Sequence, residues 1–367
     1  MDSRERTFMA LNFEEPDRVP VDFWMSSGFQ AKLEADLDIP AATFLDRYDV
    51  DLRYIEGPAY VGPPLRQFSG GADEDIWGVR RQAARVEVEG GVEHYKEVAF
   101  SPLATATTVE EIEAHSHWPS ADWFDYGGIE AQCRAIRDQG RVAVFMGDRL
   151  NRLAQFKPAM YLRGVEQIFL DMSLNPEIVR ALFDRIRRFY EGYAERIFTA
   201  ANGQLDLLLS GDDFGSQNGP LLSPAMWTEF LREGFARYIE IAHGFDLKVM
   251  HHTCGGVRPL IPLLIDCGLD VLQSLQPEAD GMDPGELKGE FGDRLAFHGG
   301  ISIQQTLPFG EGEDVRGEVR ARIAALAPGG GYILGTAHNL QADVPVENAL
   351  ALLNAYAEYG RYPIEID

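Results

Sequence analysis

Apolar residues run almost unbroken through a series of short segments, and most of those runs end in polar residues. Eight segments have this form: RVPVDF (18–23), VDLRYI (50–55), RVAVFMGD (141–148), LDLLLSGDD (205–213), LKVMHHTC (247–254), LDVLQSLQ (269–276), RLAFHGGIS (294–302) and GYILGTAHN (331–339). Near-continuous apolar runs suit strands covered on both faces, as in a parallel sheet. Longer stretches with helical spacing lie between them. SPAMWTEFLREGFARYIEIAHG (223–244) opens on Ser-Pro, a helix start, and closes on glycine. The segment 175–203 is long and amphipathic, and 312–331 closes in a glycine run. Strands alternating with helices predict βα units, and eight such units predict an α/β fold of the TIM (β/α)8 barrel type.

One stretch departs from this rhythm. EDIWGVRRQAARVEVEGGVEHYKEVAF (74–100) alternates polar and apolar positions around Gly-Gly, which predicts a β-hairpin inserted near the N-terminus, between the strands at 50–55 and 141–148. No internal repeat or linker interrupts the chain, so residues 1–367 read as one barrel domain carrying that insertion.

Composition narrows the function. The formal net charge is −25, from 58 acidic and 33 basic residues, which disfavours nucleic acid and anionic membranes as partners. No run approaches the roughly 20 apolar residues that span a bilayer. The charged start, MDSRERTFMALNFEEPDRVP, has no apolar stretch of the secretory kind. Three scattered cysteines do not make a disulfide framework. A reducing, cytoplasmic location follows, with a small molecule as the expected partner, and with the oligomeric state left open between a homodimer and other assemblies.

The polar residues gather where barrel chemistry resides, at the C-terminal strand ends. They are Asp148, Asp212 and Asp213, His252 and Cys254, Gln273 and Gln276, His298, and His338 with Asn339. Residues i and i+2 of a strand face the same way. His252 and Cys254 therefore converge on the mouth, while His251 faces the helices. An imidazole and a thiolate together are zinc ligands, and the glycines that follow allow a sharp turn. The alternative is a small buried thiol beside a hydrogen-bonded core histidine. His338 reaches the same mouth from the last strand, as a third ligand or as a substrate contact. Of Asp212 and Asp213, which face opposite ways, one enters the pocket as a metal ligand, a partner that orients His252 or a carboxylate that binds substrate. With His298 they are the catalytic candidates. Asp148, Gln217 in the loop GDDFGSQNGP (211–220), Gln276 and Asn339 are the substrate-binding candidates. Cys133 and Cys267 read as core thiols.

These residues carry a resemblance to the uroporphyrinogen decarboxylase superfamily, from DRVPVDFW to GYILGTAHNLQADVPVENALAL. The resemblance implies a TIM barrel and one of two activities: cofactor-free decarboxylation of uroporphyrinogen, or zinc-dependent methyl transfer to or from a corrinoid, usually carried by a separate small protein. His252-Thr253-Cys254 is similar to the His-x-Cys zinc pair of the methyltransferases. Their third ligand is a cysteine shortly before Pro-x-Glu-Asn. Here Pro345-Val346-Glu347-Asn348 marks that segment and His338 takes the aligned position, as a histidine does in the decarboxylases. The decarboxylases' Arg-Gln-Ala-Gly-Arg motif has no counterpart in the N-terminal strand. RRQAARV (80–86) shares only its letters and falls in the hairpin. With Arg149 as the exception, the strand ends are acidic, histidine or amide.

Three readings follow. The first is a zinc methyltransferase of the corrinoid type, with His252, Cys254 and His338 as metal ligands, acting on a small methylated compound such as a methyl ether. The second is a decarboxylase of the uroporphyrinogen type. The third is a barrel that binds a small ligand without catalysis.

Overall fold

The computed structural model describes residues 1–88, 90–147 and 152–364. Seven parallel strands build one curled sheet: β1 (Leu52–Ile55), β2 (Val142–Phe145), β3 (Leu207–Gly211), β4 (Lys248–His252), β5 (Val271–Leu275), β6 (Ala296–Ile301) and β7 (Tyr332–Thr336), hydrogen-bonded in that order. They are seven of the eight expected runs. The eighth, 18–23, forms no regular strand, because Pro20 has no N–H to give to a ladder. It still closes the curl. Leu334 N–H donates to Pro20 O and Asp22 N–H to Leu334 O on the β7 side, and Asp51 N–H donates to Val21 O beside β1. The architecture is a TIM-type barrel whose eighth position is held by a single bridging segment.

A buried charge cluster locks that closure. The Asp51 carboxylate is fully buried. It accepts from Arg6 Nη1 at 2.7 Å, Arg18 Nη1 at 2.7 Å and Val21 N–H at 2.8 Å. Arg6 comes from the first helix, Ser3–Leu11, so one carboxylate ties that helix, the closing segment and the start of β1 together. A buried carboxylate is tolerated only when paired and hydrogen-bonded in this way.

The strand period of two sorts the side chains. Leu52, Val144, Leu209, Met250, Val271 and Ile333 fill the barrel interior, with Leu11 packed among them. Val249, Leu208, Leu272 and Phe297 point outward into the larger core beneath the helices. One layer above the apolar interior, His252 lies in register with Gly211 and Gln273, and Gln273 with His298. On β4, β5 and β6 the interior thus changes from apolar (Met250, Val271, Ala296) to polar (His252, Gln273, His298) over two residues.

The expected hairpin is present within a slightly larger unit. Ala72–Glu74, Arg80–Val88 and Gly91–Phe100 form a three-stranded antiparallel sheet. Glu93 pins it in place, accepting from Ser26 Oγ at 2.6 Å and Ala342 N–H at 2.7 Å. Both partners lie just past the C-terminal ends of barrel segments, so the insertion sits over the mouth. Among the described residues no helix is long and apolar enough to cross a membrane.

A second carboxylate fixes the loop leading out of β3. Asp212 Oδ2 accepts from the backbone N–H of Gln155 and Phe156, each at 2.7 Å, and Oδ1 from that of Lys157 at 2.6 Å. These are orphan donors at the start of the helix Phe156–Arg163, which has no side-chain cap of its own. Burial pushes the Asp212 carboxyl up to about 6 against the pull of those three donors.

Two stability outcomes follow. Asp51→Ala takes from Arg6 and Arg18 their one fully buried carboxylate partner, leaving them the half-exposed Asp17 and Asp49, and is expected to cost about 3–5 kcal/mol in urea unfolding; a loss below about 1 kcal/mol, typical of an exposed pair, would contradict the closure role. Asp212→Ala is expected to cost about 1–3 kcal/mol for the unmatched N–H groups, and an unchanged urea midpoint would show that this helix needs no outside cap.

Candidate metal centre and substrate cavity

His252 at the end of β4, Cys254 two residues on and His338 two residues past β7 come together. One ligand atom from each lies within 4.8 Å of the others. Cys254 Sγ is 3.4 Å from His252 Nε2. The turn after them is held by close backbone packing. Gly255 has φ +82°, and a Cβ there would come within 2.6 Å of Ser216 O. Gly256 N–H donates to Ser216 O at 2.8 Å, and Phe214 N–H to Thr253 Oγ1 at 2.9 Å. The loop after β3 thereby presses on the loop after β4 and fixes where Cys254 stands.

Neighbouring amides orient both imidazoles. His252 Nδ1 is 2.8 Å from Gln273 Oε1. An amide oxygen only accepts, so Nδ1 carries the hydrogen and the Nε2 lone pair turns toward Cys254. His338 Nδ1 is bonded to Asn339 Oδ1 in the same sense, which leaves its Nε2 open. Burial, with Arg152 nearby, holds the His252 pKa well below the usual imidazole range, and burial lowers that of His338. Both rings are neutral donors. Burial, aided by Asp213, pushes the Cys254 thiol up to about 12. It holds its proton until a cation displaces it.

Asp213 faces the cavity while its neighbour Asp212 faces the helix. Its Oδ2 is 2.5 Å from Lys157 Nζ and its Oδ1 is 3.9 Å from His252 Nε2. Burial works against ionisation here, yet the Lys157 ammonium, with the Cys254 backbone N–H, holds the carboxyl well below the ordinary carboxylate range. Asp212, a catalytic candidate by sequence, is instead the helix cap described above. His298, also a candidate, lies under the mouth, with Nε2 2.9 Å from Asp22 Oδ2, which also accepts from Tyr54 Oη at 2.6 Å. It lines neither cavity at the centre.

Two cavities meet there. The first, of about 540 Å3, is lined by His252, His338, Asn339, Asp213 and Trp24, and is covered by the inserted sheet through Arg81, Tyr95 and Glu97. The second, of about 510 Å3, is lined by Cys254, His338, Gln217 and Gln276. Gln276 Oε1 accepts from Gly255 N–H at 3.0 Å and its Nε2 donates to Gln217 Oε1 at 3.0 Å, so this pair braces the cysteine turn as well as lining the cavity. Asp148 and Arg149 lie outside the described residues. Cys133 is buried in the helix Ile129–Arg137 and Cys267 follows the helix Ile261–Asp266, both outside the cluster. His251 faces outward as expected, bonded to Ser210 Oγ at 2.9 Å and stacked on Phe214.

Several wall residues escape a reading of strand ends. Trp24 stands 5.3 Å from His338 and 5.8 Å from His252, ring to ring. Lys157, Arg152 and Arg81 bring three cations to a cavity whose strand ends alone suggest acid and amide. They arrive from a loop, a helix start and the insertion. The sequence signal for Arg81 is present in RRQAARV, but its place over the mouth is set by Glu93, whose partner Ala342 lies 249 residues further along the chain.

Residues 152–359 match the family described as uroporphyrinogen decarboxylase (URO-D). A methyltransferase from Methanosarcina mazei shares the fold with TM-score 0.70 and 18% identity, over 98% of this chain and 99% of that one. D-psicose 3-epimerase from Clostridium cellulolyticum H10 superposes only loosely, with TM-score 0.40 and 10% identity over 70% of this chain and 93% of its own. Among curated proteins none matches the chain in sequence. The family match spans more than half of the 367 residues, and the chain belongs to the uroporphyrinogen decarboxylase family.

Proposed function

We propose that this chain is a zinc-dependent methyltransferase of the corrinoid type. It takes a methyl group from a small methylated compound, a methyl ether being the model case, and passes it to a corrinoid or thiol acceptor. One observation carries the reading: two oriented, neutral imidazoles and a thiol converge between two cavities. That donor set fits zinc, and three protein ligands leave a fourth position for substrate. Zinc held by His252, Cys254 and His338 would supply Lewis acidity, polarising a donor oxygen or keeping an acceptor thiol as thiolate.

The chain's own residues do the remainder. Gln273 and Asn339 keep the two Nε2 lone pairs aimed inward. Asp213 and Lys157 form a charged pair on the wall of the first cavity, beside His252. In demethylation of an ether, the carbon–oxygen bond to the methyl breaks with its electrons left on oxygen. The acceptor nucleophile gains the methyl, and the freed oxygen takes up a proton, which the Asp213–Lys157 pair is placed to exchange. The second cavity gives the acceptor an approach separate from the donor's. A cofactor-free decarboxylase is the competing reading, favoured by the family match and by the three cations on the first cavity.

Incubation with zinc, reduced cobalamin and a panel of methoxylated compounds is expected to yield methylcobalamin, and Cys254→Ala is expected to abolish it. Release of carbon dioxide from uroporphyrinogen, with no methyl transfer, would decide for the decarboxylase. Gln273→Ala is expected to weaken zinc binding by about 10–100-fold, measured by competition with a chromophoric chelator. Unchanged affinity would mean that the hydrogen bond to His252 does not orient a ligand.

A further inference from the structure

The inserted sheet brings to the first cavity a cation that the metal centre does not use. Arg81 is only 1% exposed, yet it lines this cavity. Its Nε donates to Asp75 Oδ2 at 2.8 Å. The other Asp75 oxygen is taken by the backbone N–H groups of Trp77, at 2.9 Å, and Val79, at 3.0 Å. Asp75 therefore holds the guanidinium end-on, through one N–H. The guanidinium carbon lies 4.3 Å from the centre of the Tyr161 ring, and the buried Nη2 has no hydrogen-bond partner among the described residues. The Tyr161 hydroxyl, on a residue lining the same cavity, is likewise buried without a partner among the described residues.

Two unmatched polar groups in one buried wall are costly unless a ligand satisfies them. A planar guanidinium fork and a phenol together suit the paired oxygens of a carboxylate. The rest of the wall carries Trp24, Trp77, Tyr95 and Tyr190, which suit a flat, apolar body. Aromatic walls also attract organic cations. Here such a cation would meet Arg81, Arg152 and Lys157 in the same space.

We infer that the ligand of this cavity is a small aromatic acid, its carboxylate bound by Arg81 with Tyr161 and its ring held among the tryptophans and tyrosines. The inference rests on the proposed function only in taking this cavity as the donor's side of the centre. Arg81 is then the residue that selects acids over neutral compounds of the same shape.

The test uses binding alone. Trp24 and Trp77 lie in the cavity wall, so quenching of tryptophan fluorescence reports occupancy. The probes are 4-methoxybenzoate and its neutral isostere 4-methoxybenzamide, titrated into the full-length protein without any methyl acceptor. The acid is expected to bind at least about tenfold more tightly than the amide. Arg81→Gln is expected to erase that preference by weakening the acid far more than the amide, and Arg81→Lys, which keeps the charge without the fork, to reduce it. If Arg81→Gln does not fold, the wild type and Arg81→Lys decide between them. Equal binding of acid and amide, binding of neither, or a preference that survives in both variants overturns the inference. Acid selection in a protein that shows no methyl transfer would sink the proposed function and leave this inference standing. Methyl transfer without acid selection would do the reverse.

Discussion

Alternation along β4 is the constraint from which the candidate site follows. Met250 packs in the apolar interior, His252 stands one layer higher on the same side of the strand, and Cys254 follows at the mouth two residues past its end. A slip of one residue would put His251 inside and turn both ligands toward the helices. His251 shows what the other side is like. It is stacked on Phe214, edge-on to Phe235, and burial lowers its pKa to about 3. Alternation alone brings only two ligands together. His338 joins them because the sheet closes, and closure depends on the Asp51 carboxylate holding Arg6, Arg18 and Val21 in one place.

The adjacent pair Asp212 and Asp213 shows how one strand end separates structure from chemistry. Opposite orientations send one carboxylate to three backbone N–H groups at a helix start and the other to Lys157 beside His252. The helix that Asp212 caps is the one whose first turn supplies Lys157. The cap of one aspartate thus positions the ion-pair partner of the other. Helix, loop and the His252–Cys254–His338 cluster are thereby joined in one connected network.

Much of this was legible in the chain. Seven apolar runs became strands because burial on both faces leaves little room for polar residues, and the His-x-Cys spacing placed its two side chains correctly because strand geometry is strictly periodic. The run at 18–23 was less legible: its apolar pattern suits a strand, but Pro20 limits it to a bridge. The roles of Asp212 and His298 were hidden for a different reason. Each is held by a partner distant in sequence, a helix start at 155–157 and Asp22, that no local pattern announces. The cavity wall was the least legible part. Trp24, Arg81 and Tyr95 reach it from the closing segment and the insertion, outside the repeating βα pattern.

The account stands or falls on whether the two imidazoles and the thiol hold a metal. Elemental analysis of the purified protein, alongside His252→Ala, Cys254→Ala and His338→Ala, addresses this directly. The account predicts about one zinc per chain in the wild type, retained through gel filtration, and its loss from each variant without loss of the fold. A wild-type protein that takes up no zinc, or a Cys254→Ala protein that binds it as tightly, would contradict the account and make the cluster a metal-free wall between two cavities.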